Sequence, residues 1–308
     1  MTARELAIAR SVIYASLFDY PLTLDQLHQT LIESDQTPSE ILAVYRGSER
    51  LQRIVEFWDG FFFPAGREDL VAERRHREAR SRAFLQHYRP VLRLVAAVPF
   101  TRMVALSGSI AHLNLERGGD LDLFVVTRGR RVWLVTVAIL LITKLLGRRR
   151  IVCANFVVAD SHLELEQQDL FTANQVIHLK PLVGGDVLDE FVAANPFVRQ
   201  FYPNGARRLA EPPIAWPRNR LVDTLKRISE LVLSAPSPLM EAACRRMYSS
   251  YLKRRAASWQ SPEQVTLRAD YLKLHTRSHR QTVLTRFNDA LDLAWEGANR
   301  PAPRAAAR

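Results

Sequence analysis

The sequence predicts an α+β protein with a small mixed sheet near the middle of the chain. Short, nearly continuous apolar runs at 103–106, 121–126 and 151–158 have the length and composition of buried strands. An apolar helical run over 132–146 separates the second from the third, which gives the order strand, loop, strand, helix, strand. On either side of this core, apolar residues recur at three- and four-residue spacing, the helical period.

Composition sets the outer limits. A chain of 308 residues has room for two or three domains. Hydrophobic residues at 47% and charged residues at 24% exclude a globally disordered chain. Cys153 and Cys244 stand far apart and offer neither a disulfide framework nor a zinc spacing, which suits thiols in a reducing cytoplasm. The N-terminus has no long apolar stretch followed by small residues, so no signal peptide is expected. The run over 132–146 spans roughly 15 residues, contains Lys144 and falls short of the ~20 that a bilayer core demands. A cytoplasmic protein without membrane contact is the expectation. The net charge of +11 and pI near 10.1 are concentrated after Arg207, in clusters such as Arg245-Arg246 and Lys253-Arg254-Arg255. Such a surface suits a polyanion, either nucleic acid or the phosphates of a nucleotide. Solvated helix faces in an arginine-rich chain would give the same composition.

Taken in order, Leu6, Ala9, Ile13 and Leu17 mark a first helix with one apolar face. Pro21 interrupts, and Thr23 stands at an N-cap position ahead of Leu24, Leu27 and Leu31. A further helix is expected around 40–45. Ser48 then caps one over 48–57 that carries Leu51, Ile54 and Val55. Asp59-Gly60 is a turn signal before the aromatic strand Phe61-Phe62-Phe63. Helices followed by strand, turn and strand is the order of a winged helix, with 48–57 as its recognition helix. Its wing is apolar rather than basic, which favours docking over DNA reading. A charge-dense connector helix follows over 67–95, broken or kinked at Pro90. The core occupies 96–190, a mostly helical region runs over 191–300 between scattered prolines, and 301–308 has the composition of a disordered tail. Residues 1–66 form the winged-helix-like module.

Chemistry concentrates at 104–126, VALSGSIAHLNLERGGDLDLFVV. One apolar strand runs into Ser107-Gly108-Ser109, and a loop leads to Asp120-Leu121-Asp122 at the head of another. Residues i and i+2 of a strand share a face, so Asp120 and Asp122 present paired carboxylates. Like charges at that distance repel unless a cation neutralises them, and hard divalent ions with oxygen ligands fit. Glycine at 108 lets backbone amides approach a phosphate, and Ser109 adds a hydroxyl.

This arrangement resembles the signature of the polymerase-beta-like nucleotidyltransferase superfamily, including the gap between Ser109 and Asp120 found in its minimal bacterial members. The resemblance implies a small mixed-sheet nucleotidyltransferase core. It further implies Mg²⁺ held by Asp120 and Asp122, and an NTP such as ATP held by Gly108 and Ser109. Most of the chain is also similar to a prokaryotic group in which a winged-helix-like segment precedes this core and a helical tail follows. That likeness rests on YASLFDYPLTLDQL, DGFFFPAGRE and NFVVADSHLEL.

There are departures. Minimal members carry Arg, Gly and Ser where His112, Leu113 and Gly119 stand here. The family takes its third carboxylate from the middle of the strand after the helix, where this chain has Asn155, which offers a neutral oxygen but cannot act as a base. Asp160, just beyond that strand, is the expected third catalytic acid beside Asp120 and Asp122. The alternative is that Asp160 caps the strand end, with Glu164 and Glu166 further along. His275 and His279 lack the intervening glutamate of a zinc motif and are expected to be solvated or phosphate-facing. Trp216, Trp259 and Trp295 read as packing residues, and Ser107 lacks the flanking glycines of a hydrolase elbow.

The functional expectation is an Mg²⁺-dependent transfer of a nucleotidyl group from an NTP to a hydroxyl of an acceptor that the sequence does not identify, with nucleic acid or another anionic molecule as the candidates. Two alternatives stand beside it. One is a winged-helix regulator or nucleotide sensor on a catalytically weakened core. The other is a toxin-antitoxin-type enzyme acting on RNA or protein.

Overall fold

The computed structural model describes residues 1–205, 216, 219–276 and 278–299. The chain forms two compact units that do not follow sequence order. The first comprises Met1–His76, Phe197–Arg208 and His279–Arg308, and the second Arg77–Pro196 and Leu209–Ser278.

Three helices of the first unit begin with the same local device. In α1 (Ala3–Ser16), the Thr2 hydroxyl accepts from Glu5 N while the Glu5 carboxylate accepts from Thr2 N. Thr23 and Gln26 repeat this capping box at α2 (Leu24–Gln29), which follows the short strand β1 (Leu22–Thr23). Thr37 and Glu40 repeat it at α3 (Pro38–Gly47), with proline in the first turn. A single turn, α4 (Glu49–Gln52), leads to the hairpin β2 (Val55–Trp58) and β3 (Phe61–Pro64). Asp59 and Gly60 both have positive φ, as a type I′ turn requires. The three strands pair antiparallel in the order β1-β3-β2.

The sequence places one helix over 48–57, and the structure divides that stretch between α4 and β2. Val55 and Phe57 pair with Pro64 and Phe62 across the hairpin, and the Phe57 and Phe62 rings lie 4.4 Å apart. Cross-strand packing of β-branched and aromatic residues outweighs a weak local helical period.

The helix α5 (Asp69–Ala96) is continuous through Pro90. The second unit then runs through β4 (Thr101–Ser107), α6 (Gly108–Ala111), β5 (Leu121–Thr127), α7 (Val132–Leu145) and β6 (Val152–Ala159). It continues with α8 (Leu170–Ile177), β7 (Lys180–Val183) and α9 (Gly185–Ala193). After α10 (Phe197–Phe201), which belongs to the first unit, come α11 (Arg220–Ser234), α12 (Ser237–Arg254), β8 (Val265–Leu267) and β9 (Tyr271–Leu274). The last helix, α13 (Arg280–Asn299), returns to the first unit, where Phe287 meets Tyr14 edge to face.

The central sheet is mixed, in the order β7-β4-β5-β6-β9-β8, with β5 and β6 parallel across α7 and the other pairs antiparallel. The expected strand, loop, strand, helix, strand order is therefore present. The region 191–300 is mostly helical among its described residues, as expected, but β8 and β9 also lie within it and extend the sheet beyond β6. Lys273 in β9 is buried, and its ammonium is satisfied by Gln167 and Gln264, so a lysine in a strand did not advertise burial. Nor is 191–300 one body, because α10 and α13 pack with the first unit. The segment 301–308 lies outside the described residues, as do Pro212 and Pro213.

The apolar run of the sequence becomes α7, which buries Trp133, Val135 and Ile139 in the core of the second unit. No helix among the described residues is long and apolar enough to cross a membrane. Arg131 at the N-cap gives α7 no side-chain cap. The Glu241 carboxylate of α12 does that work instead, accepting from Trp133 N at 3.1 Å and Leu134 N at 2.7 Å. Burial raises the pKa of Glu241, and those two hydrogen bonds oppose the rise. Replacing Glu241 with Ala strands two amides at a helix start, so stability should fall by about 1–3 kcal/mol. Urea unfolding followed by tryptophan fluorescence measures it, and Glu241→Gln, which keeps an acceptor, should recover most of the loss.

Candidate active site

Three strands converge on one register line. Antiparallel pairing sets Ser107 of β4 opposite Asp122, and parallel pairing sets Cys153 of β6 opposite the same residue. Along β5, Leu121, Leu123 and Val125 enter the core, so the alternation turns Asp120 and Asp122 to the other face. At the end of β4 the chain turns into α6, anchored by buried Ile110 and Ala111, which leaves the Ser109 side chain exposed.

Gly108 has φ +62, and a Cβ built on it would lie 2.6 Å from Asp122 Oδ2. Both the conformation and the contact demand glycine. The turn backbone thus lies directly against one carboxylate of the pair. Gly108, Ser109, Asp120 and Asp122, singled out from sequence, fall in one neighbourhood.

Two further side chains complete it. Asn155 donates from Nδ2 to Asp122 Oδ1 at 2.6 Å, and the Cys153 thiol donates to Asp120 Oδ2 at 3.1 Å. Burial raises the pKa of Asp122 to about 7; the charge of Asp120 adds to the rise and the Asn155 hydrogen bond opposes it. Burial, followed by the hydrogen bond to Asp120 and the two carboxylate charges, pushes the Cys153 thiol up to about 12. Asp120, Asp122 and Cys153 each offer one ligand atom, all within 4.8 Å of one another, a grouping able to hold a metal ion. Cys153 was legible only in part: it stands two residues before Asn155 and so shares its face of the strand, but its neighbour on β5 depends on register.

Asp160 is not part of this group. It lies seven residues beyond Cys153 along β6, roughly 20 Å at the rise of a strand. There it accepts from Gly129 N at 2.8 Å and faces Arg102 at 3.5 Å. The expectation of a third catalytic acid at Asp160 is corrected: its bonds are those of a cap at the end of the sheet. Glu166 pairs with Arg268.

The remaining histidines separate by environment. The ring of His112 stacks on His178 at 3.8 Å, and burial lowers the pKa of His178 to about 4. Two residues on, burial holds Lys180 down at about 8 on the strand that borders β4, a feature the sequence did not signal. His275 is half-buried, packs edge-on against Phe156 and is also pushed to about 4 by burial, whereas His279, in the other unit, is exposed as expected. Trp216 and Trp259 pack against the second unit's core. A groove of about 1310 Å³ in the second unit is lined by Thr101, Arg102, Gly184, Trp216 and Lys226. It opens at the Thr101 end of β4, away from Gly108.

No family model, no curated protein and no solved structure matches the chain. What the site does has to follow from its own residues.

Two glycines separate strain from collision. Gly118 also has positive φ (+81), but a Cβ added there would meet nothing within 4 Å, so Gly118→Ala should cost only about 1 kcal/mol. Gly108→Ala adds a carboxylate clash and should cost about 1–3 kcal/mol more, read as the difference in urea midpoints.

The buried imidazole of His178 gives a pH signature. The unfolded chain takes up its proton below about 6.5, whereas the folded chain resists until about 4. Stability therefore falls as pH drops through that window, by at most about 3 kcal/mol from this residue. Unfolding midpoints at pH 7 and 4.5 should show a smaller acid loss in His178→Gln than in wild type.

Proposed function

We propose that this chain is an Mg²⁺-dependent nucleotidyltransferase, with a winged-helix-like module in its first unit and a nucleotidyltransferase core in its second. One observation carries the reading. A glycine turn ends one buried strand directly against a pair of carboxylates that begin the next, with no room for a side chain between.

The donor set suits the ion. Asp120 and Asp122 supply hard oxygen ligands, and among the described residues no lysine or arginine forms a salt bridge with either. Mg²⁺ commonly binds through one or two carboxylates together with substrate phosphates. When bound, it would neutralise charge on the triphosphate during in-line attack at the α-phosphorus. The amides of the Gly108 turn and the exposed Ser109 hydroxyl would hold phosphate oxygens. Asn155 and Cys153 each hold one carboxylate in orientation from the neighbouring strand. The acceptor is a hydroxyl on an anionic molecule, in keeping with the net charge of +11.

The order helix, strand, three helices, strand, turn, strand supports the winged-helix-like reading of the first unit. Its hairpin exposes Phe57 and Trp58 rather than basic side chains, which favours docking over DNA reading.

A second reading, a nucleotide sensor on a weakened core, has one observation in its favour. Asn155 occupies the strand position beside Asp122, and Asp160 is remote from it.

Transfer from each labelled NTP in cell extract, run beside thermal melting, tests both readings. Mg²⁺ with the correct NTP at about 100 times Kd should stabilise the protein by about 2.7 kcal/mol. Asp120→Asn and Asp122→Asn should lose roughly 10²-fold or more of the transfer rate, whereas Asp160→Asn should retain it. Binding without transfer would favour the sensor, and an unchanged melting curve with all four NTPs would defeat both readings.

A further inference from the structure

The helix α11 is mounted inside out. At about 100° per residue, Leu221, Leu225, Ile228 and Val232 fall in one narrow arc, with Leu231 at its margin. That arc faces solvent: Leu221 is 76% exposed, Leu225 64%, Ile228 53%, Leu231 79% and Val232 68%. The polar arc faces inward and is fixed by specific bonds. Lys226 donates to Thr101 O at 2.8 Å and Ala96 O at 3.1 Å, and Glu230 accepts from Phe100 N at 2.8 Å. Rolling the helix to bury its leucines would strand those groups, so the orientation is specified by the fold. A water-exposed aliphatic face of this kind marks an interaction surface.

Charge selects what covers it. Between Arg220 and Arg255 stand eight Lys and Arg residues against three acids. Two of those acids are engaged, Glu230 at Phe100 and Glu241 at the start of α7. Arg220 and Arg227 flank the Leu231 margin of the apolar arc and are exposed. Beyond the turn after α11, Leu239 is 79% exposed at the start of α12, which ends in Arg254. A second copy placed on this face would bring like charge against like charge, whereas an anionic partner gains from both the leucines and the arginines.

We propose that the outward face of α11 seats this protein on an anionic lipid surface. The apolar arc enters the boundary between headgroups and acyl chains, and the flanking arginines meet lipid phosphates. The expectation of no membrane contact rested on length for spanning, and a helix lying in the interface needs none.

Flotation of the full chain with vesicles tests this. The protein should float with an equal mixture of phosphatidylcholine and phosphatidylglycerol, stay behind with phosphatidylcholine alone, and be released by added salt. Leu225→Ser/Ile228→Ser, which leaves the charge unchanged, should lower the partition coefficient roughly tenfold or more at an unaltered melting temperature. Should that variant melt early, Arg220→Gln/Arg227→Gln takes its place and should weaken binding to the mixed vesicles alone. Failure of wild type to float overturns the proposal, as does undiminished binding by a folded Ser variant, which would mean charge alone. A wild-type dimer in sedimentation that the Ser variant dissociates would assign the face to a second copy instead.

Discussion

The register of β5 between β4 and β6 is the constraint on which the second unit depends. A slip of one residue would turn Asp120 and Asp122 into the core and Leu121, Leu123 and Val125 out of it. Each such aliphatic contributes about 1.5–3 kcal/mol when fully buried. Against this stands the cost of holding Asp122 where burial and a neighbouring charge lift its pKa to about 7, at most about 4 kcal/mol on ionisation. Several buried side chains outweigh one unfavourable carboxylate. The sheet can therefore hold the two carboxyl groups side by side.

The carboxylates owe their geometry to the same pairing. Cys153 and Asn155 come from a strand parallel to β5, so both reach across to the same face at successive steps, one to each carboxylate. Parallel pairing requires a crossover, and α7 provides it. The helix must then pack flat on the sheet, which accounts for its apolar composition. It also accounts for the borrowed cap: with the start of α7 buried and no capping side chain of its own, an acid from α12 has to supply the missing acceptor.

The positive charge of the chain is distributed more unevenly than its total suggests. Arg102 is engaged by Asp160 and Glu190, Arg268 by Glu166, and Lys226 by backbone carbonyls. These cations hold the second unit together and have less to offer a ligand. The exposed arginines of α11 and α12 lie beside exposed leucines instead, and it is this juxtaposition, rather than net charge, that defines a surface with a preference.

The sequence by itself determined everything governed by neighbours within one turn or one strand. The threonine N-caps, the Asp59-Gly60 hairpin, the strands around Gly108 and Asp120, and the shared face of Asp120 and Asp122 all follow from residues a few positions apart. Tertiary structure decided what depends on partners distant in sequence. It placed Cys153 and Asn155 at the carboxylates and Asp160 at the far end of the sheet, because a strand's periodicity sets the face of a side chain but not its height against the next strand. It recruited β8 and β9 to the sheet, where two glutamines satisfy a buried lysine that reads as a surface residue. It turned the leucines of α11 outward, because an amphipathic pattern specifies two faces, and only hydrogen bonds to Ala96, Phe100 and Thr101, more than a hundred residues away, choose which one meets the protein.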